Sequence, residues 1–199
     1  MIFSDLLHSE FLPYGALSPE KLDQLQAHYA LMMRWNERLN LTRILGVEDV
    51  VRFHYCESLF LGTFLPPGPL AVADLGSGAG FPGIPLAISR PDLSVTLIES
   101  DARKSVFLRE ASRELKNVVI AQVRLEACQE RFDWCVSRAV SLEQVLRCGK
   151  APNFALLMSG SGIAFAPEVI RLPWGRDRVL AVSRGTFHVE QKDEAKWRK

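Results

Sequence analysis

At 199 residues, 48% of them hydrophobic, the chain can build one sizeable core, or a core domain with a small appendage. Charged residues make up 24% and the formal net charge is +1, which excludes the global basic field of many nucleic-acid binders; any basic surface must be local. No apolar run approaches the roughly 20 residues needed to span a bilayer.

The N-terminus, Met1-Ile2-Phe3-Ser4-Asp5, has no basic leader and meets an acid at once. Cys56, Cys128, Cys135 and Cys148 form no Cys-x-x-Cys pair and sit in apolar patterns. They are expected as small buried thiols in a reducing cytoplasm, with no metal site.

Residues 1–68 read as a helical cap. Ser18-Pro19-Glu20 supplies an N-cap, a proline at the first helical position and an early acid. Leu22, Leu25, Tyr29, Met32 and Leu39 then repeat at a helical period. A second helix is expected from Glu48 to about Leu61, and Pro66-Pro67-Gly68-Pro69 marks the domain boundary.

From residue 69 to 190 strands alternate with helices. Strands are expected at Leu70–Asp74, Ser94–Glu99, Asn117–Val123, Phe132–Ser137 and Phe154–Met158, with helices near Phe81–Ile88 and Arg103–Leu115. Val106, Phe107, Leu108, Ala111 and Leu115 would form the inner face of the second helix. Such alternation means right-handed crossovers and a mainly parallel α/β sheet. Arg178–Ser183 and Thr186–Glu190 flank Arg184-Gly185 as an antiparallel end hairpin, and residues 191–199 form a charged tail.

The loop after the first strand, Asp74-x-Gly76-x-Gly78-x-Gly80, lies where open parallel sheets bind ligands. Its letters also fit a dinucleotide fingerprint, Gly78-x-Gly80-x-x-Gly83. A carboxylate at the mouth of the loop, Asp74, would repel a pyrophosphate, and Pro82 and Pro85 remove amide donors from the next helical turn. Both features favour S-adenosylmethionine, which is cationic and carries no phosphate, over a nicotinamide cofactor. Glu99, ending the second strand, suits the ribose hydroxyls of either.

More specific elements follow one another in order: Trp35-Asn36-x-x-x-Asn40-Leu41-Thr42, His54-x-x-Glu57-Ser58, DLGSGAGFPGIPLAI, LIESDARKSVFLRE and Val136-Ser137-Arg138-Ala139. From about residue 22 to 158 the chain resembles the bacterial small-subunit ribosomal RNA methyltransferase G family, also called glucose-inhibited division protein B. The resemblance implies a class I (Rossmann-like) S-adenosylmethionine-dependent methyltransferase fold with seven strands and an N-terminal helical cap. It implies methyl transfer to N7 of a guanine in 16S rRNA near the decoding centre, with the RNA or the small ribosomal subunit as partner. Gly76 and Phe81 match cofactor-contacting positions, Leu125 and Glu126 the pair flanking the adenine, and Arg138 the site arginine. Gly78, Gly80 and Glu99 follow from the fold's general motifs.

Two positions depart from the family pattern. The arginine before His54 is displaced to Arg52, and Ser159-Gly160 stands where a lysine precedes glycine. Guanine N7 carries a lone pair and no proton, so the reaction needs alignment and electrostatics rather than a base. No catalytic dyad is expected.

Arg138 can stack on the guanine, donate to its O6 or hold the cofactor carboxylate. His54, Trp35, Asn36 and Asn40 can line an RNA surface or serve packing and capping. Arg103, Lys104, Arg109, Arg113 and Lys116 gather along one helix, and basic residues outnumber acidic ones after Arg171. Such cations can track phosphates or simply be solvated. A methyltransferase with a different acceptor and a non-catalytic RNA-binding module are the rival readings.

Overall fold

A computed structural model describes residues 2–138, 140, 144–145, 150–159 and 168–185. The chain opens with helix α1 (Phe3–Phe11), α2 (Pro19–Leu39) and α3 (Val47–Val50). A π-helical turn (Val51–Cys56) then leads into α4 (Glu57–Gly62). Ser18 caps α2 through its side chain, which accepts from Lys21 N at 3.4 Å, and Pro19 fills the first helical position. The expected second helix is thus present, but its middle is π-helical. An additional helix, α1, precedes the expected ones.

Strands β1 (Leu70–Leu75), β2 (Leu93–Ile98), β3 (Val118–Ala121), β4 (Trp134–Ser137) and β5 (Asn153–Ser159) are parallel neighbours in the order β3-β2-β1-β4-β5. Helices α5 (Gly83–Ser89) and α6 (Ala102–Ala111) connect the first three. Next to β5 lies β7 (Arg178–Ser183), antiparallel to it, and β6 (Glu168–Arg171) closes the sheet as the antiparallel partner of β7. The expected arm at 186–190 lies outside the described residues. The hairpin partner seen on β7 is β6, a short edge strand with no sequence expectation behind it.

The period of two along each strand separates two apolar faces. Val72, Val95, Leu97, Trp134, Val136, Ala155 and Leu157 join Phe3, Leu7, Leu25, Met32, Tyr55 and Leu61 in one cluster, so the cap and the sheet share a core. Ala73, Leu75, Ile98, Cys135, Phe154 and Leu156 form the opposite face with Cys128 and Phe132. Cys56, Cys128 and Cys135 are buried and take part in no disulfide. On α6, Phe107 and Leu108 face inward, whereas Val106 is 49% exposed.

β1 lies between β2 and β4, so the chain steps from β1 to β2 on one side and later returns to β4 on the other. The carboxyl ends of these strands therefore meet at the switch point, where a ligand crevice forms.

Candidate active site

At the end of β1 the amides of Gly76 and Ser77 both donate to the Ile98 carbonyl, at 2.9 and 3.1 Å, swinging the chain over β2. Gly76, Gly78 and Gly80 take φ values of +70°, +55° and +87°, the left-handed region that glycine alone enters freely. Gly80 N then donates to Ser77 O at 2.7 Å, closing the loop. Glu99 follows β2, and its carboxylate accepts from Gly78 N at 3.0 Å and from Asp101 N at 2.8 Å. Leu125 and Glu126 lie in a short 3-10 turn after β3, and Arg138 stands one residue beyond β4. All of these residues therefore sit at the carboxyl edge of the sheet.

Asp74 is placed differently from the sequence expectation. It is fully buried rather than at the mouth of the loop. Alternation explains this: Asp74 shares the face of Val72, two residues earlier, and that face lies under α5. Its Oδ2 accepts from Gly83 N at 3.0 Å, and its Oδ1 has no partner. Burial, with a smaller push from the charge of Glu99, raises the carboxyl to about 7 against the Gly83 bond.

This geometry strengthens the choice of ligand. The first-turn donors of α5 are spent, since Gly83 N serves Asp74 and Ile84 N serves Gly80 O at 2.8 Å, while Pro82 and Pro85 have none. With two carboxylates close enough to interact, the loop is a poor pyrophosphate cradle and a good match for a cationic nucleoside.

The Trp-Asn-x-x-x-Asn-Leu-Thr element forms a clamp. Asn40 ends α2 in a left-handed conformation, φ +48°, exposed to solvent. Asn36 grips the turn beyond it, donating to Thr42 O at 3.0 Å and accepting from Thr42 N at 2.8 Å. Thr42 Oγ1 in turn lies 2.7 Å from His54 Nε2. His54 is buried and stacks on Phe81 of the glycine loop, with Nδ1 unpartnered. The polar positions of this motif thus converge on one loop side chain.

Beside this clamp, Arg178 Nε donates to the fully buried Glu57 at 2.8 Å and its Nη2 to the second carboxylate oxygen. Desolvation raises the Glu57 carboxyl although Arg178 opposes it. Ser159, where a lysine was expected, lies opposite Arg178 in the β5–β7 register, so the cation at this edge comes from β7. Arg138 is half-buried. Burial, then the charge of Arg178, lowers it to about 9, which leaves it protonated at neutral pH. Among the described residues no carboxylate pairs with it. The displaced Arg52 is held by Glu10 at 2.7 Å. The helix cations are solvated or locally paired, with Arg103 near Asp101 and Arg113 near Glu114.

Two residues packed against the glycine loop had no sequence expectation. His28 and Tyr55 are buried between α2, the π-helical turn and the glycine loop. The available signal was a histidine on the Leu25–Met32 stripe. A cleft of about 490 Å³, lined by Leu17, Leu59, Leu65, Gly68 and Arg90 among others, lies at the amino ends of the strands, away from this site. Its cations are already held: Lys21 donates to Ser89 O, and Arg90 to Asp92 and Pro66 O. Among the described residues no His, Cys, Asp and Glu group is placed to hold a metal ion. None of their helices is long and apolar enough to cross a membrane.

Comparison with known proteins follows the same lines. The family described as GidB, rRNA small subunit methyltransferase G, matches residues 21–151. A ribosomal RNA small subunit methyltransferase G from Halorhodospira halophila is 40% identical over 164 residues, spanning 79% of this chain and 77% of that protein. The protein of the same name from Stenotrophomonas maltophilia strain K279a is 40% identical over 169 residues, 81% of this chain and 76% of its own. Among solved structures, an S-adenosylmethionine-dependent methyltransferase from Aquifex aeolicus superposes with a TM-score of 0.53 at 15% identity, covering 67% of this chain and 91% of that one. The N-methyltransferase NodS from Bradyrhizobium japonicum gives 0.51 at 14% identity, covering 67% and 94%. At such identities these structures speak for the fold alone.

Proposed function

The chain belongs to the rRNA small subunit methyltransferase G family, and from that premise we propose that it methylates N7 of a guanine in 16S rRNA near the decoding centre. It is an S-adenosylmethionine-dependent enzyme acting on small-subunit ribosomal RNA. When bound, the cofactor supplies an electrophilic methyl group. The chain's own task is to hold and align both partners.

The observation that carries the cofactor half of this reading is the acid-flanked glycine loop whose helix-terminal amides are already consumed. Gly76, Gly78 and Gly80 allow close backbone approach. Glu99 offers lone pairs to ribose hydroxyls, while Phe81, Leu125 and Glu126 flank the nucleoside. Arg138, protonated and without a carboxylate partner among the described residues, is suited to an anionic or carbonyl oxygen: the carboxylate of the amino-acid moiety or guanine O6. His54 and Asn40 border the path of the target base.

Guanine N7 has no proton to remove, so alignment of two bound partners, worth roughly 7–11 kcal/mol in favourable cases, can carry the rate. Action on ribosomal RNA supports a cytoplasmic location.

Deletion of the gene tests the reading. Mass spectrometry of 16S rRNA from the deletion strain should show one N7-methylguanosine lost, and a plasmid copy should restore it. Unchanged modification would overturn the assignment of target.

A further inference from the structure

We propose that His28, in the helical cap, is a positioning residue for S-adenosylmethionine, fixing the glycine loop through the Ala79 carbonyl while Tyr55 fixes its tautomer. The inference rests on the loop being the cofactor site.

His28 is 3% exposed, with Nε2 3.1 Å from Ala79 O and Nδ1 2.8 Å from Tyr55 Oη. A carbonyl oxygen can only accept, so Nε2 carries the proton. Nδ1 is then a lone pair, and the Tyr55 hydroxyl donates to it. The geometry therefore admits one arrangement of protons. Burial lowers the imidazole to about 4, which keeps the ring neutral and this arrangement intact at neutral pH.

The grip falls where the backbone is least constrained. Ala79 lies between Gly78 and Gly80, both at positive φ, and glycine gives the peptides on either side unusual freedom. Gly78 N is committed to Glu99 and Gly80 N to Ser77 O. His28 commits the carbonyl between them. The rings add to the hold: His28 meets Phe81 at 5.2 Å and Tyr55 meets it at 5.0 Å, both edge-on. Packing is close enough that a Cβ on Gly80 would stand 3.3 Å from His28 Nε2. A loop ordered before the ligand arrives loses less entropy on binding, and that gain appears as cofactor affinity.

Calorimetry with S-adenosylhomocysteine on the full chain tests this, comparing H28F, Y55F and H28Q at a temperature where circular dichroism shows each folded. Losing the donor in H28F should raise Kd about tenfold, and Y55F should raise it about threefold. H28Q, whose amide N–H can still reach Ala79 O, should recover most of the loss. KM for small ribosomal subunits should stay unchanged throughout. Binding by H28F within about twofold of the parent, or H28Q as weak as H28F, would overturn the positioning role. Binding by the parent protein tests the cofactor site separately, so the two failures are distinguishable.

Discussion

The imidazole of His54 lies flat on the ring of Phe81, with centroids 4.6 Å apart and planes 12° from parallel. One ring comes from the cap and the other from the glycine loop, so the stack joins the Asn36–Thr42 clamp to that loop. Removing it in H54A should weaken S-adenosylhomocysteine binding by about 1 kcal/mol, roughly fivefold. H54F keeps the stack and should bind nearly as the parent does. Calorimetry on the two variants decides whether the ring face or the Thr42 bond carries the effect.

Asp74 should make cofactor binding pH-dependent. Its carboxyl is raised to about 7, first by burial. A cationic ligand above the loop favours the ionised form, so binding releases a proton and tightens between about pH 6 and pH 8. The proton shows in titrations run in buffers of different ionisation heat. In D74N the release and the pH slope should both vanish.

His28 and Asp74 oppose each other in acid. His28 falls from 6.5 in the unfolded chain to about 4, so the stability it gives is full above 6.5 and is lost as pH drops toward about 4. Asp74 rises from 3.8 to about 7, so its contribution is full below 3.8 and is lost as pH climbs toward about 7. The two trends offset each other in the parent protein. Urea denaturation should therefore find D74N losing stability more steeply than the parent between about pH 6.5 and pH 4, and H28F less steeply.

Glu57 and Arg178 form a bidentate pair with the Glu57 side chain fully buried. E57A leaves Arg178 without that partner and next to the charge of Arg138. The cost should be about 3–5 kcal/mol, read from the urea midpoint. Replacing both members by well-packed apolar residues should restore much of it.

The strand–helix alternation and the glycine loop were legible because period two, period 3.6 and the local freedom of glycine are all written in neighbouring residues. Asp74 was legible in principle, since its alternation with Val72 assigns it to the covered face; its place at the loop's origin suggested the mouth instead. His28 was not, because its partner carbonyl is 51 positions away and nothing local joins them. The π-helical turn, Val51–Cys56, depends on how α1 and the loop seat His54 and Tyr55, which no periodicity records. β6 escaped for a simpler reason: four residues at a sheet edge, none of them buried, leave almost no apolar pattern.

The proposed reaction is methyl transfer to one guanine N7. Its most direct test incubates the purified protein and S-adenosylmethionine with small ribosomal subunits from a strain lacking the modification, then digests the 16S rRNA for nucleoside mass spectrometry. N7-methylguanosine should rise toward one per rRNA, matched by S-adenosylhomocysteine. No transfer, or a methyl group on any other atom, would contradict it.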